Sequence, residues 1–136
     1  MMPSPPLLSV LVAAVAIFIT GWLWYSPLLF VKPWMRLRGL DPAAAMSGKM
    51  PLGRVGIEFL RCLAVSYLVM HLAMGIEIQS IGRALHAGIF LWVAFPVMVF
   101  VGMVLWENQP WKVAAIDAGD WLVKLLLIPV IYVLMK

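Results

Sequence analysis

ALHAGIFLWVAFPVMVFVGMVLW, residues 84–106, contains no Asp, Glu, Lys or Arg, and His86 is its one titratable group. A helix needs about 20 predominantly apolar residues to cross the hydrocarbon core of a bilayer. This stretch qualifies on length alone. Working outward, residues 1–31 carry no charged side chain either. Four segments emerge: one from Pro6 to Phe30, two from Val55 to Ile76, three from Ile81 to Trp106 and four from Val113 to Met135. Backbone groups in lipid must pair within the structure, which leaves helices or closed barrels. The apolar runs are continuous rather than alternating, so helices are expected. The fold class is therefore all-α: an integral membrane protein with four transmembrane helices in an antiparallel bundle, one domain over residues 1–136.

Composition supports this reading. The hydrophobic fraction is 65% and the mean hydropathy +1.03, against about 45–50% apolar residues in soluble domains. Segment one lacks the basic n-region of a signal peptide and is much longer than an h-region of about 7–15 residues, so it is expected to be retained. The single Cys62 rules out an intrachain disulfide and a cysteine metal motif.

Segment four is the weakest span, because it holds Asp117, Asp120 and Lys124. Each charge near the centre of a span costs ~2.5–3.5 kcal/mol on the insertion scale. Help from the other helices is expected. The three charges share one helical stripe, and Asp120 and Lys124 stand at the i,i+4 spacing of an ion pair. The stripe reads as a latch to helix one or two, as part of a proton or cation path, or as a contact to another subunit. Asp117 sits near the start of its helix, where the dipole favours a carboxylate. Ala115 and Gly119 offer a small packing face.

The net charge is +4. Lys32, Arg36, Arg38, Lys49 and Arg54 lie between segments one and two, and Lys112 lies in the third connection. Only Arg83 and Lys136 oppose them, so the first and third loops are expected in the cytoplasm and both termini outside. Anionic lipid head groups, not nucleic acid, are the expected partners of this basic loop. Within it, Pro33-Trp34-Met35-Arg36-Leu37-Arg38 reads as a short interfacial segment, and Asp41-Pro42 as a helix start. Tryptophans 22, 24, 34, 106, 111 and 121 read as an aromatic belt.

Gly21-Trp22-Leu23-Trp24-Tyr25-Ser26-Pro27-Leu28-Leu29-Phe30-Val31-Lys32-Pro33-Trp34 resembles the signature of the domain of unknown function 1761 family, small four-helix bacterial membrane proteins. A second match lies at Glu107-Asn108-Gln109-Pro110 and Ile116-Asp117-Ala118-Gly119. The motif positions are Gly21, Trp24, Tyr25, Ser26, Pro27, Phe30, Lys32, Trp34, Glu107, Pro110, Asp117 and Gly119. Val31 replaces a customary Gly, and Asp120 a customary aromatic. The resemblance implies the architecture and a bacterial inner-membrane location, but no activity. Pro27, which lacks a backbone donor, is expected to end helix one.

Glu58 and Arg61 are spaced to pair on one helix face. His71 and His86 share a depth on either side of a short turn, a low-ranking ligand pair for haem or metal. No phosphate loop, metalloprotease spacing or serine elbow is present in the sequence. No catalytic residue and no cofactor are therefore assigned, and the chain is not expected to be an enzyme. The leading reading is a membrane protein that acts by association, as an accessory or assembly subunit or a homo-oligomer. The alternative is a small oligomeric transporter or channel using the segment-four stripe.

The loop charges generate a test. A reporter active only in the periplasm should be active when fused after Lys136 and silent when inserted near Gly48; the opposite pattern would invert the topology.

Overall fold

The computed structural model describes residues 4–25, 31–37 and 52–135. Five helices account for most of them, and no strand occurs among the described residues. α1 spans Leu7–Trp24, α2 Val31–Leu37, α3 Leu52–Gly75, α4 Ile81–Trp106 and α5 Trp111–Leu134. Ser26, Pro27, Phe30, Asp41-Pro42, Arg38, Lys49, Lys136 and the side chain of Lys32 lie outside the described residues.

Each boundary has a local cause. α1 ends at Trp24, and the Tyr25 N–H returns to the Gly21 carbonyl at 3.2 Å. α3 closes with Glu77 in the left-handed region (φ 56°) while the Ile78 and Glu77 N–H groups bond to Ala73 and Met74 carbonyls. That pattern satisfies the last carbonyls of a helix and seats an apolar residue, here the buried Ile78, against its final turn. Ser80 then caps α4, its hydroxyl accepting from the Arg83 N–H at 3.2 Å. α4 ends at Trp106, with Asn108 left-handed (φ 55°) and Pro110 opening α5. Asn tolerates that conformation better than most residues, and proline is pre-set for a helix start.

Pro96 sits within α4, and the helix widens to a π turn over Val93–Val97. Proline has no N–H and its ring clashes with the carbonyl one turn back. The wider turn makes room for it.

α5 is the hub. It packs on α1, α2, α3 and α4, while α1 also packs on α3. α3 and α4, joined by the short Ile76–Ser80 turn, pack on α5 more than on each other. The core is drawn from the inner edges: Ala13, Ala14 and Ile17 of α1, Cys62 and Met70 of α3, Ala84 of α4, and Ile128 and Tyr132 of α5. Phe18 meets Phe59 edge-on at 5.7 Å across α1 and α3. Small residues set the α4–α5 spacing. A Cβ at Gly88 would fall 2.5 Å from the Leu125 carbonyl oxygen.

The expectation of four spanning helices is met in part. Three helices, α1, the Gly53–Gly75 stretch of α3 and α4, are long and apolar enough to cross a membrane. α5 has 24 residues, but Lys112, Asp117, Asp120 and Lys124 keep it out of that class. The apolar helices are the exposed ones, and the polar helix is the covered one. Leu7, Leu68, Phe90, Phe95 and Leu105 all project outward, the inverse of a water-soluble protein.

Gly88→Leu should loosen the α4–α5 contact. Overpacking of this kind costs about 1–3 kcal/mol, so the thermal midpoint in detergent should fall, while Gly82→Leu, at a site with open space, should leave it near the parent value.

Candidate functional site

The C-terminal turn of α1, the short α2 and the first half of α5 meet in one polar cluster. Asp117, on α5, accepts from the Tyr25 hydroxyl at 2.5 Å and from the Trp34 indole N–H at 3.0 Å, both at Oδ1. Trp24 donates its indole N–H to the Ile116 carbonyl at 2.8 Å. From the other side, Trp92 of α4 donates to the Ala118 carbonyl at 2.7 Å. Three indoles and a phenol thus converge on residues 116–118. A buried indole needs an acceptor, and in apolar surroundings another element's backbone or a carboxylate is what remains.

One turn further along α5, Lys124 Nζ lies 2.9 Å from Asp120 Oδ2, with the two side chains 9% and 7% exposed. The ammonium also stands 4.7 Å from the centre of the Trp121 ring. Gly21 lies over the pair. A Cβ there would make ordinary contact, 3.5 Å from Asp120 Oδ1, and a longer side chain would enter the ion pair. Gly119 is tighter: a Cβ would sit 2.5 Å from the Trp24 ring. One edge of the indole comes against the glycine, and its N–H reaches the Ile116 carbonyl in the turn below.

The sequence-derived stripe of Asp117, Asp120 and Lys124 is therefore turned toward α1 and α2. Asp117 is stabilised differently from expectation. α5 begins at Trp111, so Asp117 is beyond the first turn, where the dipole acts most strongly, and two side-chain donors meet its charge instead. Gly119 receives an aromatic ring rather than a neighbouring helix backbone, and Ala115 faces outward. Trp22, Trp106 and Trp111 project outward as belt residues would, whereas Trp24 and Trp34 are clasps on α5. Trp92 was not singled out from sequence; a tryptophan deep in an apolar run, with an N–H to satisfy, was the available signal.

Glu58 and Arg61 pair as their spacing implies, at 2.6 Å, and line a small crevice with Ile17, Trp121 and Lys124. His71 stacks on Tyr67 at 6.2 Å, and His86 meets Phe90 edge-on at 4.7 Å. Each histidine makes its ring contact within its own helix, and neither lines the space between α3 and α4. That space is an apolar cleft of about 490 Å³, walled by Val69 and Leu72 of α3 and Leu91 and Phe95 of α4, with Trp121 and Leu125 as its floor. No group of three or more metal-ligating side chains occurs among the described residues.

Residues 8–133 match the family described as protein of unknown function (DUF1761), and the chain belongs to that family. No curated protein and no solved structure matches it. Membership gives the clasp a wider sense, since the two halves of the motif meet here. Trp24 packs on Gly119, Tyr25 and Trp34 hold Asp117, and Gly21 covers the neighbouring ion pair. Glu107 and Pro110 stand at the turn that delivers α5 to this contact.

Replacing one partner of a buried pair costs about 3–5 kcal/mol, because the other charge is stranded. Lys124→Leu should therefore lower stability in detergent sharply, and adding Asp120→Leu should recover much of the loss. Equal stability of the single and double variants would show that the two groups do not support each other.

Proposed function

We propose that this is an integral protein of the bacterial inner membrane that acts by association rather than catalysis, as an accessory or assembly subunit or as a homo-oligomer. In this reading α5 is the fourth span and completes an antiparallel bundle, with the first and third loops cytoplasmic and both termini outside. α2 lies at the head-group level, where its exposed Arg36 meets anionic lipid.

One observation carries the reading. The charges that could have lined a polar route, Asp117, Asp120 and Lys124, are met inside the chain by Tyr25, Trp34 and each other. A path for ions needs polar groups facing a wet opening, whereas the cleft of about 490 Å³ between α3 and α4 is walled by apolar side chains. What the fold leaves outward is apolar surface on α1, α3 and α4. Contact with lipid and with other membrane helices is the chemistry such surfaces support. The ring contacts of His71 and His86 within their own helices give no support to a haem or metal site.

Purification from the native membrane in a gentle detergent tests this. The expected result is a stoichiometric complex larger than one 15.2 kDa chain, with no Soret band, and proteoliposomes no leakier to protons or cations than empty vesicles. A cation flux abolished by Asp117→Asn in a folded protein would replace association with transport. A haem lost in His71→Ala would replace it with redox chemistry.

A further inference from the structure

The apolar cleft between α3 and α4 stands apart from the polar cluster, and its rim is on the surface. Leu68, Leu72 and Phe95, which line it, are 65%, 43% and 63% exposed. Phe95 and Pro96 bring the π turn of α4 into its wall, an irregularity frequent at functional sites. Through Phe95, Pro96 and Trp121 the cleft adjoins a second apolar hollow of about 270 Å³, which reaches Val99 and Phe100. Through Val65 and Trp121 it adjoins the crevice of Glu58, Arg61 and Lys124. That crevice, of about 10 Å³, has room for little more than a water molecule. A larger polar group beside the cleft would therefore sit at the crevice mouth, on Arg61. Arg61 gives a donor to Glu58 and its side chain remains 60% exposed, so other donors of its five are open to a ligand.

Helical geometry joins these parts. At 100° per residue, Arg54, Arg61, Val65, Leu68 and Leu72 fall within about 60° of arc. Arg54 and Arg61 are exposed. One face of α3 thus begins basic and becomes the wall of the cleft. The rise from Arg61 to Leu72 is about 16 Å, close to the about 15 Å that is half of a hydrocarbon core. We propose that the cleft holds one anionic glycerophospholipid, with its chains in the two hollows and its phosphate at Arg61 and Arg54. The inference rests on the membrane placement proposed above and adds a resident lipid to it. Two hollows that share a wall, beside a single basic mouth, suit a lipid with two chains and one head. Two arginines against one glutamate on this face select an anionic head over a zwitterionic one. Guanidinium groups also match phosphate in shape, with paired donors for its oxygens. Attraction of bulk lipid to the basic first loop needs no cleft, whereas here head and chains are held together.

The experiment uses the full chain in phosphatidylcholine vesicles that carry a trace of phosphatidylglycerol with a diazirine in one chain. After illumination, protein floating with the vesicles is digested and its lipid adducts are mapped. Adducts are expected at residues 65–72 and 91–96, which contribute to the cleft. Their yield should be about tenfold higher than from phosphatidylcholine bearing the same diazirine. Arg54→Gln with Arg61→Gln should bring the two lipids level, and Arg54→Lys with Arg61→Lys should keep most of the preference. Leu68→Trp, which narrows the cleft from an exposed position, should cut the yield at residues 91–96 about tenfold and leave adducts on α1 unchanged. Elution of each variant as one sharp peak in detergent separates loss of binding from loss of fold. Equal yields from the two lipids, or adducts spread evenly over α1, α3 and α4, would overturn the lipid site while the membrane placement stood. Displacement of the probe by a polyprenyl phosphate but not by unlabelled phosphatidylglycerol would overturn the two-chained occupant. Protein that fails to float with the vesicles would overturn both the site and the placement.

Discussion

Everything in this fold is arranged around an obligation: α5 holds ionised side chains in apolar surroundings, and each must be answered nearby. Water is not available to do it. Burying a charge is tolerable only with a paired charge and further hydrogen bonds. Asp120 and Lys124 meet that requirement within a single helix. Asp117 cannot, and it draws Tyr25 and Trp34 from the chain's N-terminal quarter. The end of α1 and the position of α2 follow from this contact. The less polar helices are free to face outward because the most polar one is surrounded.

Hydropathy and spacing made much of this legible. The bounds of α4 could be read directly, since an uninterrupted apolar run and a short polar turn leave little freedom. Two ion pairs, Glu58 with Arg61 and Asp120 with Lys124, followed from helical spacing alone, because their partners are neighbours on one helix. Hydropathy also ranked α5 as the weakest span, and the same charges make it the centre of the fold. What could not be read was register between distant segments. Asp117 is 92 residues from Tyr25, and no periodicity within either segment announces that they meet. The left-handed Glu77 was equally hidden, since a glutamate there is a tertiary compromise rather than a turn signal.

The family motif gains a physical reading from this geometry. Its glycines and aromatics are two sides of one contact. Gly119 leaves a flat place on α5, Trp24 occupies it, and a side chain of any size at that position would push the indole from its carbonyl. Asp120 falls beside Lys124 and under Gly21. Its charge is thus matched by a cation one turn away and by the absence of a side chain opposite. The carboxylates of the cluster accept from donors that tie α1, α2 and α5 together.

The centrality of α5 bears on how the chain is made. Synthesis proceeds from the N-terminus, and earlier segments fold while later ones are still emerging. The helix that most needs company in an apolar medium is therefore delivered after α1, α3 and α4, when the indoles of Trp24 and Trp92 and the phenol of Tyr25 are already waiting. A rearranged gene encoding α5 first would present Asp117, Asp120 and Lys124 to the insertion machinery with none of those donors yet made. The linear order of this sequence is in that sense a schedule, with its most demanding passenger boarding last.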